Sequence, residues 1–209
     1  MAFQPGSQSI PPGRICIRAP NWVGDVVMST PALRAVRSCF PSARISVVIR
    51  RAVASVLKGA PWFDDTIVYC RTGSIGDRVR GFRQCVFSLR EGAYDLGLIL
   101  PNSFSSALMF WLGAVGRRIG YERDARSWML SRSLPRPSEP DGTFRPTYMV
   151  DYYLDLCRIA GVEPVDHRTA LPYTDSDAAA ADRVLRRQGI EPNSPFYLFH
   201  PCAGYGPSK

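Results

Sequence analysis

Short runs rich in β-branched residues recur along this chain. Each is followed by a stretch whose apolar residues fall at three- and four-residue steps, and this alternation constrains the fold more than any other feature. Ile15-Cys16-Ile17 leads through the turn-forming Pro20-Asn21-Trp22-Val23-Gly24 into a segment with helical spacing that ends near Phe40. Arg44 to Ile49 reads as a second strand followed by the helical Ala52 to Lys58, and Thr66 to Cys70 as a third strand. Ile75 to Arg90 is amphipathic: Val79, Phe82, Val86 and Leu89 form a stripe expected to pack into the core, with Arg78, Arg80, Arg83 and Arg90 mostly on the other side. Asp95 to Leu100 is a nearly continuous apolar strand feeding a helix from Phe104 to Leu112, and Arg117 to Tyr121 is a short further strand. Strands alternating with helices predict an α/β domain with a parallel sheet covered on both faces. Ligands of such sheets gather at the carboxyl ends of the strands. The loop Asn21-Trp22-Val23-Gly24-Asp25 and the loop Pro101-Asn102-Ser103 are therefore expected to open onto one cleft.

Beyond Tyr121 the pattern loosens. Ser131 to Pro146, rich in Pro and Gly, reads as a surface loop, and Tyr148 to Ala160 as a helix with a stripe of Val150, Tyr153, Leu154, Cys157 and Ile159, closed by Gly161. A second unit begins with a helix from Asp177 to Gln188 and a strand from Phe196 to His200, which runs into the glycine-rich Pro201 to Lys209. That loop lacks the spacing G-x-x-x-x-G-K-[ST]. With 209 residues there is room for one full domain and part of another. The expected organisation is a loose tail at 1–13, an α/β domain at 14–162, a linker at 163–175 and the incomplete start of a second domain at 176–209.

Apolar residues make up 45% and charged residues 21%, a composition able to bury a core. No apolar run approaches the roughly 18 residues of a spanning helix; Ala107 to Val115 is the nearest. The first thirteen residues lack the order of a secretion signal, so a cytoplasmic location is expected. Cysteines 16, 39, 70, 85, 157 and 202 form no C-x-x-C pair, and the histidines are only His167 and His200, which argues against a metal site or a disulfide framework. Gly113-x-x-Gly116-x-x-x-Gly120 has the wrong spacing for a dinucleotide fingerprint and precedes a strand. The net charge is +8, and 24 of the 26 basic residues are arginine. Genomic base composition explains part of the Arg-to-Lys ratio but not the surplus, which suits an anionic partner: nucleic acid, an anionic membrane surface or a phosphorylated glycolipid.

Asp25 is the only acidic residue between Arg14 and Arg51, a window holding seven arginines. Such a setting is expected to keep its carboxylate ionised. Where a strand hands over to a helix, it could take a proton from a sugar hydroxyl. A competing role is capping of the helix that follows, which uses the same residue type.

The blocks PNWVGDVVMSTPALRAVRSCFP, YDLGLILPNSFSSALMFWLGAVGRRIGY, MVDYYLDLCRIAGV and FHPCAGYGPSK resemble, in order, the ADP-heptose:lipopolysaccharide heptosyltransferases of glycosyltransferase family nine, most closely their heptosyltransferase II branch. The resemblance implies a GT-B fold: two Rossmann-like domains, the first receiving a lipid-linked inner-core acceptor and the second holding ADP-heptose. It implies an inverting transfer with no metal or other cofactor, no nucleic acid partner, and peripheral contact with the anionic inner membrane surface. The family's catalytic base falls on Asp25. Substrate contacts fall on Asn21, Trp22, Gly24, Asn102 and Ser103, and donor phosphate contacts on Gly204, Gly206 and Lys209. Where the family has H-P-G-A, this chain has His200-Pro201-Cys202-Ala203, and a Cys side chain there crowds the approach to phosphate. Because the donor domain is incomplete, the chain alone is expected not to turn over ADP-heptose; a non-catalytic module binding an anionic glycolipid or polyanion is the alternative.

Overall fold

A computed structural model describes residues 11–70, 73–192 and 194–199. The chain divides into two compact units between Pro172 and Tyr173.

The first unit is a six-stranded sheet of β1 (Arg14–Arg18), β2 (Arg44–Arg50), β3 (Asp65–Tyr69), β4 (Leu96–Ile99), β5 (Arg117–Tyr121) and β6 (Arg132–Leu134). All neighbours pair in parallel, in the order β3-β2-β1-β4-β5-β6. The helices are α1 (Val23–Met28), α2 (Thr30–Cys39), α3 (Ile75–Gly92), α4 (Phe104–Leu112) and α5 (Met149–Ile159). The segment expected to be helical after β2 is a 3₁₀ helix, Arg51–Leu57.

The near-continuous apolar runs of β1, β2 and β4 follow from burial on both faces. Alternate residues split between two cores: Ile15, Ile17, Val47, Ile49, Leu98 and Leu100 pack with α2 and α5. Cys16, Val48 and Ile99 face the other way, onto α3 and α4. Gly97, on β4, lies where a Cβ would stand 2.7 Å from both Phe110 and Val115, so only a residue without a side chain lets α4 approach the sheet this closely.

Three expectations change. The 131–146 segment is not all loop, because Arg132–Leu134 extends the sheet as the edge strand β6, paired with Ile119–Tyr121. The stripe on α3 is only partly core: Cys85 and Leu89 are buried, but Val79 is 53% exposed. The neighbouring α4 covers only part of the stripe's width. Finally, the second unit contains α6 (Asp175–Arg187), started by a reciprocal Thr174–Asp177 capping box, yet 196–199 form no strand. A strand exists only through its partners, and no second strand occurs among the described residues of that unit. Of the cysteines, Cys16, Cys85 and Cys157 are buried, Cys70 is partly covered and Cys39 is exposed.

Residues 166–170 belong to the first unit. Asp166 Oδ1 accepts from Arg34 at 2.5 Å, the Arg168 carbonyl accepts from the same guanidinium, and the Ala170 N–H donates to Thr30 Oγ1 at 3.0 Å.

Candidate active site

The strand order reverses direction between β1 and β4, which makes their carboxyl ends the topological switch point where α/β sheets form crevices. Arg18 is in register with Ile99, and the Leu100 N–H donates to the Arg18 carbonyl at 3.2 Å. The 20–25 and 101–103 loops therefore leave neighbouring strands on the same edge of the sheet.

Asp25 occupies the first turn of α1 and is half-buried. It does not cap: the N-cap is Trp22, with no side-chain cap hydrogen bond, and no side chain or backbone N–H among the described residues donates to the carboxylate. Its pKa is raised, and the cause is burial. Burial, and not the expected influence of nearby arginines, sets the direction of its shift. Three arginines of the window are ion-paired elsewhere: Arg34 to Asp166, Arg37 to Asp64 at 2.6 Å and Arg44 to Asp65 at 2.6 Å. Arg14 donates to the Gly92 carbonyl. The Asp25 charge is felt at Tyr153 of α5, whose hydroxyl is pushed up by burial first and then by that charge.

Arg18, fully buried at the end of β1, reaches back over the loop. It donates to Asn21 Oδ1 at 2.6 Å, to the Val48 carbonyl at 3.2 Å, and to Tyr69 Oη and the Ala19 carbonyl, and it lies 4.8 Å from the centre of the Tyr69 ring. Burial lowers its pKa, opposed by Tyr69. Asn21 is therefore a fixed wall of the loop, whereas Trp22 is 64% exposed. Gly24 is exposed, and a Cβ built there meets nothing within 4 Å. Its surroundings do not demand glycine, and the space above it is open.

The second loop is held from beneath by Arg126, whose side chain is also fully buried. It donates to the carbonyls of Pro101 at 2.5 Å, Tyr121 at 3.0 Å and Ser103 at 3.3 Å, and to Asn102 Oδ1 at 3.3 Å. Burial pulls its pKa down to about 10, so it remains a cation at neutral pH. The Asn102 amide donates in turn to Tyr152 Oη at 2.9 Å, and the Tyr152 ring stacks on Tyr121 at 3.7 Å. Ser103 Oγ lies 2.8 Å from Ser106 Oγ.

The topology thus brings the loop of Asn21, Trp22, Gly24 and Asp25 beside that of Asn102 and Ser103. Gly204, Gly206 and Lys209 lie outside the described residues. Sequence reasoning missed Arg18, Arg126 and Tyr152. Only Arg18 left a signal, a lone charge closing the apolar run of β1. Among the described residues no group of His, Cys, Asp and Glu could hold a metal ion, and no helix is long and apolar enough to cross a membrane.

Comparison with known proteins agrees with this topology. Lipopolysaccharide heptosyltransferase 2 of Escherichia coli K12 is 27% identical over 205 residues, covering 94% of this chain and 56% of that protein. The chain spans about half the length of the curated relatives it matches. A glycosyl transferase family 9 structure from Veillonella parvula superimposes with a TM-score of 0.74 at 17% identity, covering 87% of this chain and 51% of that one. The E. coli ADP-heptose lps heptosyltransferase II structure gives 0.64 at 24% identity, over 87% and 52%. These structures share its Rossmann-like fold. The model of glycosyltransferase family 9 (heptosyltransferase) matches residues 82–209, more than half of the sequence, and the chain belongs to that family.

Proposed function

We propose that the first unit is the acceptor-binding half of an inverting, metal-independent heptosyltransferase that moves heptose from ADP-L-glycero-D-manno-heptose to a heptose of the lipopolysaccharide inner core. The observation that carries this reading is the half-buried Asp25 carboxylate at the switch point, with no hydrogen-bond donor of its own. In a single displacement, Asp25 takes the proton of the acceptor hydroxyl while that oxygen attacks the anomeric carbon of the donor. The bond to the ADP oxygen breaks with its electron pair, and the anomeric centre inverts. Burial favours this role, because a carboxylate with raised pKa is the stronger base. Asn21 and Asn102, each held by a buried arginine, shape the walls beside it. Donor phosphate contacts at Gly204, Gly206 and Lys209 rest on the sequence resemblance alone.

The test separates binding from chemistry. An inner-core heptose oligosaccharide titrated into the 209-residue chain should shift backbone amide resonances of the 21–25 and 101–103 loops, with the same affinity in Asp25→Asn. Transfer is then assayed in a chimera whose remaining length comes from E. coli heptosyltransferase 2. There Asp25→Asn should lose roughly 10²–10⁴-fold in turnover. Near-normal turnover removes Asp25 from the mechanism; binding without transfer by the unmutated chimera favours the non-catalytic module.

A further inference from the structure

The two asparagines of the crevice loops are polarised in the same sense. A guanidinium can only donate hydrogen bonds. The Asn21 atom that meets Arg18 at 2.6 Å and the Asn102 atom that meets Arg126 at 3.3 Å are therefore both amide oxygens. Turned the other way, either amide would set N–H against N–H. At Asn102 the nitrogen is fixed as well, since it donates to Tyr152 Oη at 2.9 Å and that ring is stacked on Tyr121. Each amide thus uses its oxygen inward and has N–H to spare. Asn102 commits one of its two N–H groups. The Asn21 nitrogen has no partner among the described residues and, in a partly exposed side chain, is not one of the buried unpaired atoms.

The arginines that impose this are costly to the fold. Among the described residues Arg18 and Arg126 are the only charged side chains that are buried, and neither meets a carboxylate. Arg18 Nε is also the one buried side-chain nitrogen or oxygen there without a hydrogen-bond partner. A well-packed apolar residue would avoid both penalties. The two arginines come from different places, the end of β1 and the turn after β5, and their other acceptors differ. What they share is that each ends on the asparagine of one crevice loop, on either side of the switch point.

We propose that Arg18 and Arg126 are positioning residues that lock Asn21 and Asn102 as hydrogen-bond donors, so that the crevice selects ligand groups by their lone pairs. An asparagine free to flip would offer its own oxygen to a sugar hydroxyl and compete with Asp25 for the proton. A hydroxyl that accepts from a locked N–H keeps its proton for the carboxylate. The same polarity admits any accepting atom, oxygen or fluorine, and refuses an ammonium group, which has only protons to offer. The part of this inference that concerns Asp25 rests on the transferase reading; the donor-only selection does not.

A neutral heptose glycoside, titrated into the 209-residue chain and followed by isotope-edited NMR, tests it without ligand charge. The side-chain amide resonances of Asn21 and Asn102 should shift. Asn21→Asp and Asn102→Asp keep an oxygen for each arginine and make that bond charge-assisted, so both should melt no lower than the parent. Each should nevertheless bind the glycoside about tenfold more weakly, the cost of one lost hydrogen bond. Where the amides read a hydroxyl, replacing it by fluorine should cost the parent chain less affinity than replacing it by hydrogen, and an amino group should abolish binding. That preference for fluorine should vanish in the Asp variants. It should also fall in Arg18→Met and return in part in Arg18→Lys, with thermal melts showing which variants are folded. Folded Asp variants that bind as tightly as the parent overturn the proposal, as does a parent chain that never distinguishes fluorine from hydrogen. If the Asp variants bind weakly while Asp25→Asn turns over normally in the chimera, the donor reading stands and only the catalytic base is lost. A chain whose amides ignore every glycoside overturns both.

Discussion

Removing the Arg126 guanidinium tests whether the 101–103 loop is fixed by this one side chain. In Arg126→Met the side-chain methylenes keep an apolar replacement, while four acceptors lose their donor: the carbonyls of Pro101, Tyr121 and Ser103 and the Asn102 side chain. Two of these bonds, at 2.5 and 3.0 Å, have full-strength lengths, and the two at 3.3 Å are weak. Hydrogen bonds to charged groups contribute about 1.5–3 kcal/mol each, net of desolvation. The two short ones together predict a loss of about 4 kcal/mol. That lies within the range of roughly 3–5 kcal/mol for disrupting a buried charged arrangement. For a domain of this size each kcal/mol shifts Tm by about 2–4 °C, so the melting temperature should fall by about 8–16 °C. Thermal and urea unfolding followed by circular dichroism read this directly. Arg126→Lys, which keeps the charge but not the fork, should fall between the two. Amide exchange should show protection lost first in the loop before α4 and not in β2. A loss below about 1 kcal/mol, the size of a typical surface substitution or small cap effect, would show that the loop holds itself and that the buried cation is incidental.

Two further outcomes follow from the same geometry. Gly97→Ala drives a methyl into Phe110 and Val115, each 2.7 Å from the point its carbon would occupy, and should destabilise by about 1–3 kcal/mol through overpacking; an unchanged urea midpoint would mean α4 can retreat freely. Asp25→Asn should raise Tm at neutral pH. A carboxyl whose folded pKa lies above its unfolded value holds its proton longer in the folded state, so stability falls as pH rises through that window and stays lower above it. The gap between Asn and Asp should therefore close as pH is lowered towards the ordinary carboxylate pKa of about 3.9. An Asn variant less stable at neutral pH would show that the carboxylate makes a favourable contact in the fold.

The elements that sequence periodicity located are those whose burial is decided locally. Phe104–Leu112 and Arg117–Tyr121 are found with the expected bounds because each presents its own apolar pattern between turn residues. β6 escaped notice because Arg132–Leu134 carries one apolar residue and takes its conformation from hydrogen bonding to β5. The α3 stripe was legible as a helix, but how much of it would be covered depends on the breadth of a helix some twenty residues later. At the site, adjacency of the two loops followed from alternation and the parallel-sheet rule. The electrostatics did not, because the charges that matter are paired across long separations, Arg34 with Asp166 and Arg37 with Asp64. Nothing around Arg126 in the sequence distinguishes it from an exposed arginine, since its acceptors are main-chain carbonyls brought to it by two segments, the 101–103 loop and the end of β5.

That redistribution of charge changes the chemistry expected of Asp25. A guanidinium beside the carboxylate would lower its proton affinity, keep it ionised and make it a poor base, since proton-transfer catalysis improves as the pKa of the base approaches the working pH. In the folded chain the neighbouring arginines are drawn away. Arg18 turns to hold Asn21, and Arg34 and Arg37 tie down the flanks of α2. Positive charge that is abundant in sequence around position 25 is therefore sparse around it in space. The arrangement favours a carboxylate raised by burial over one clamped by an ion pair, which is the state a general base needs and a structural salt bridge would abolish.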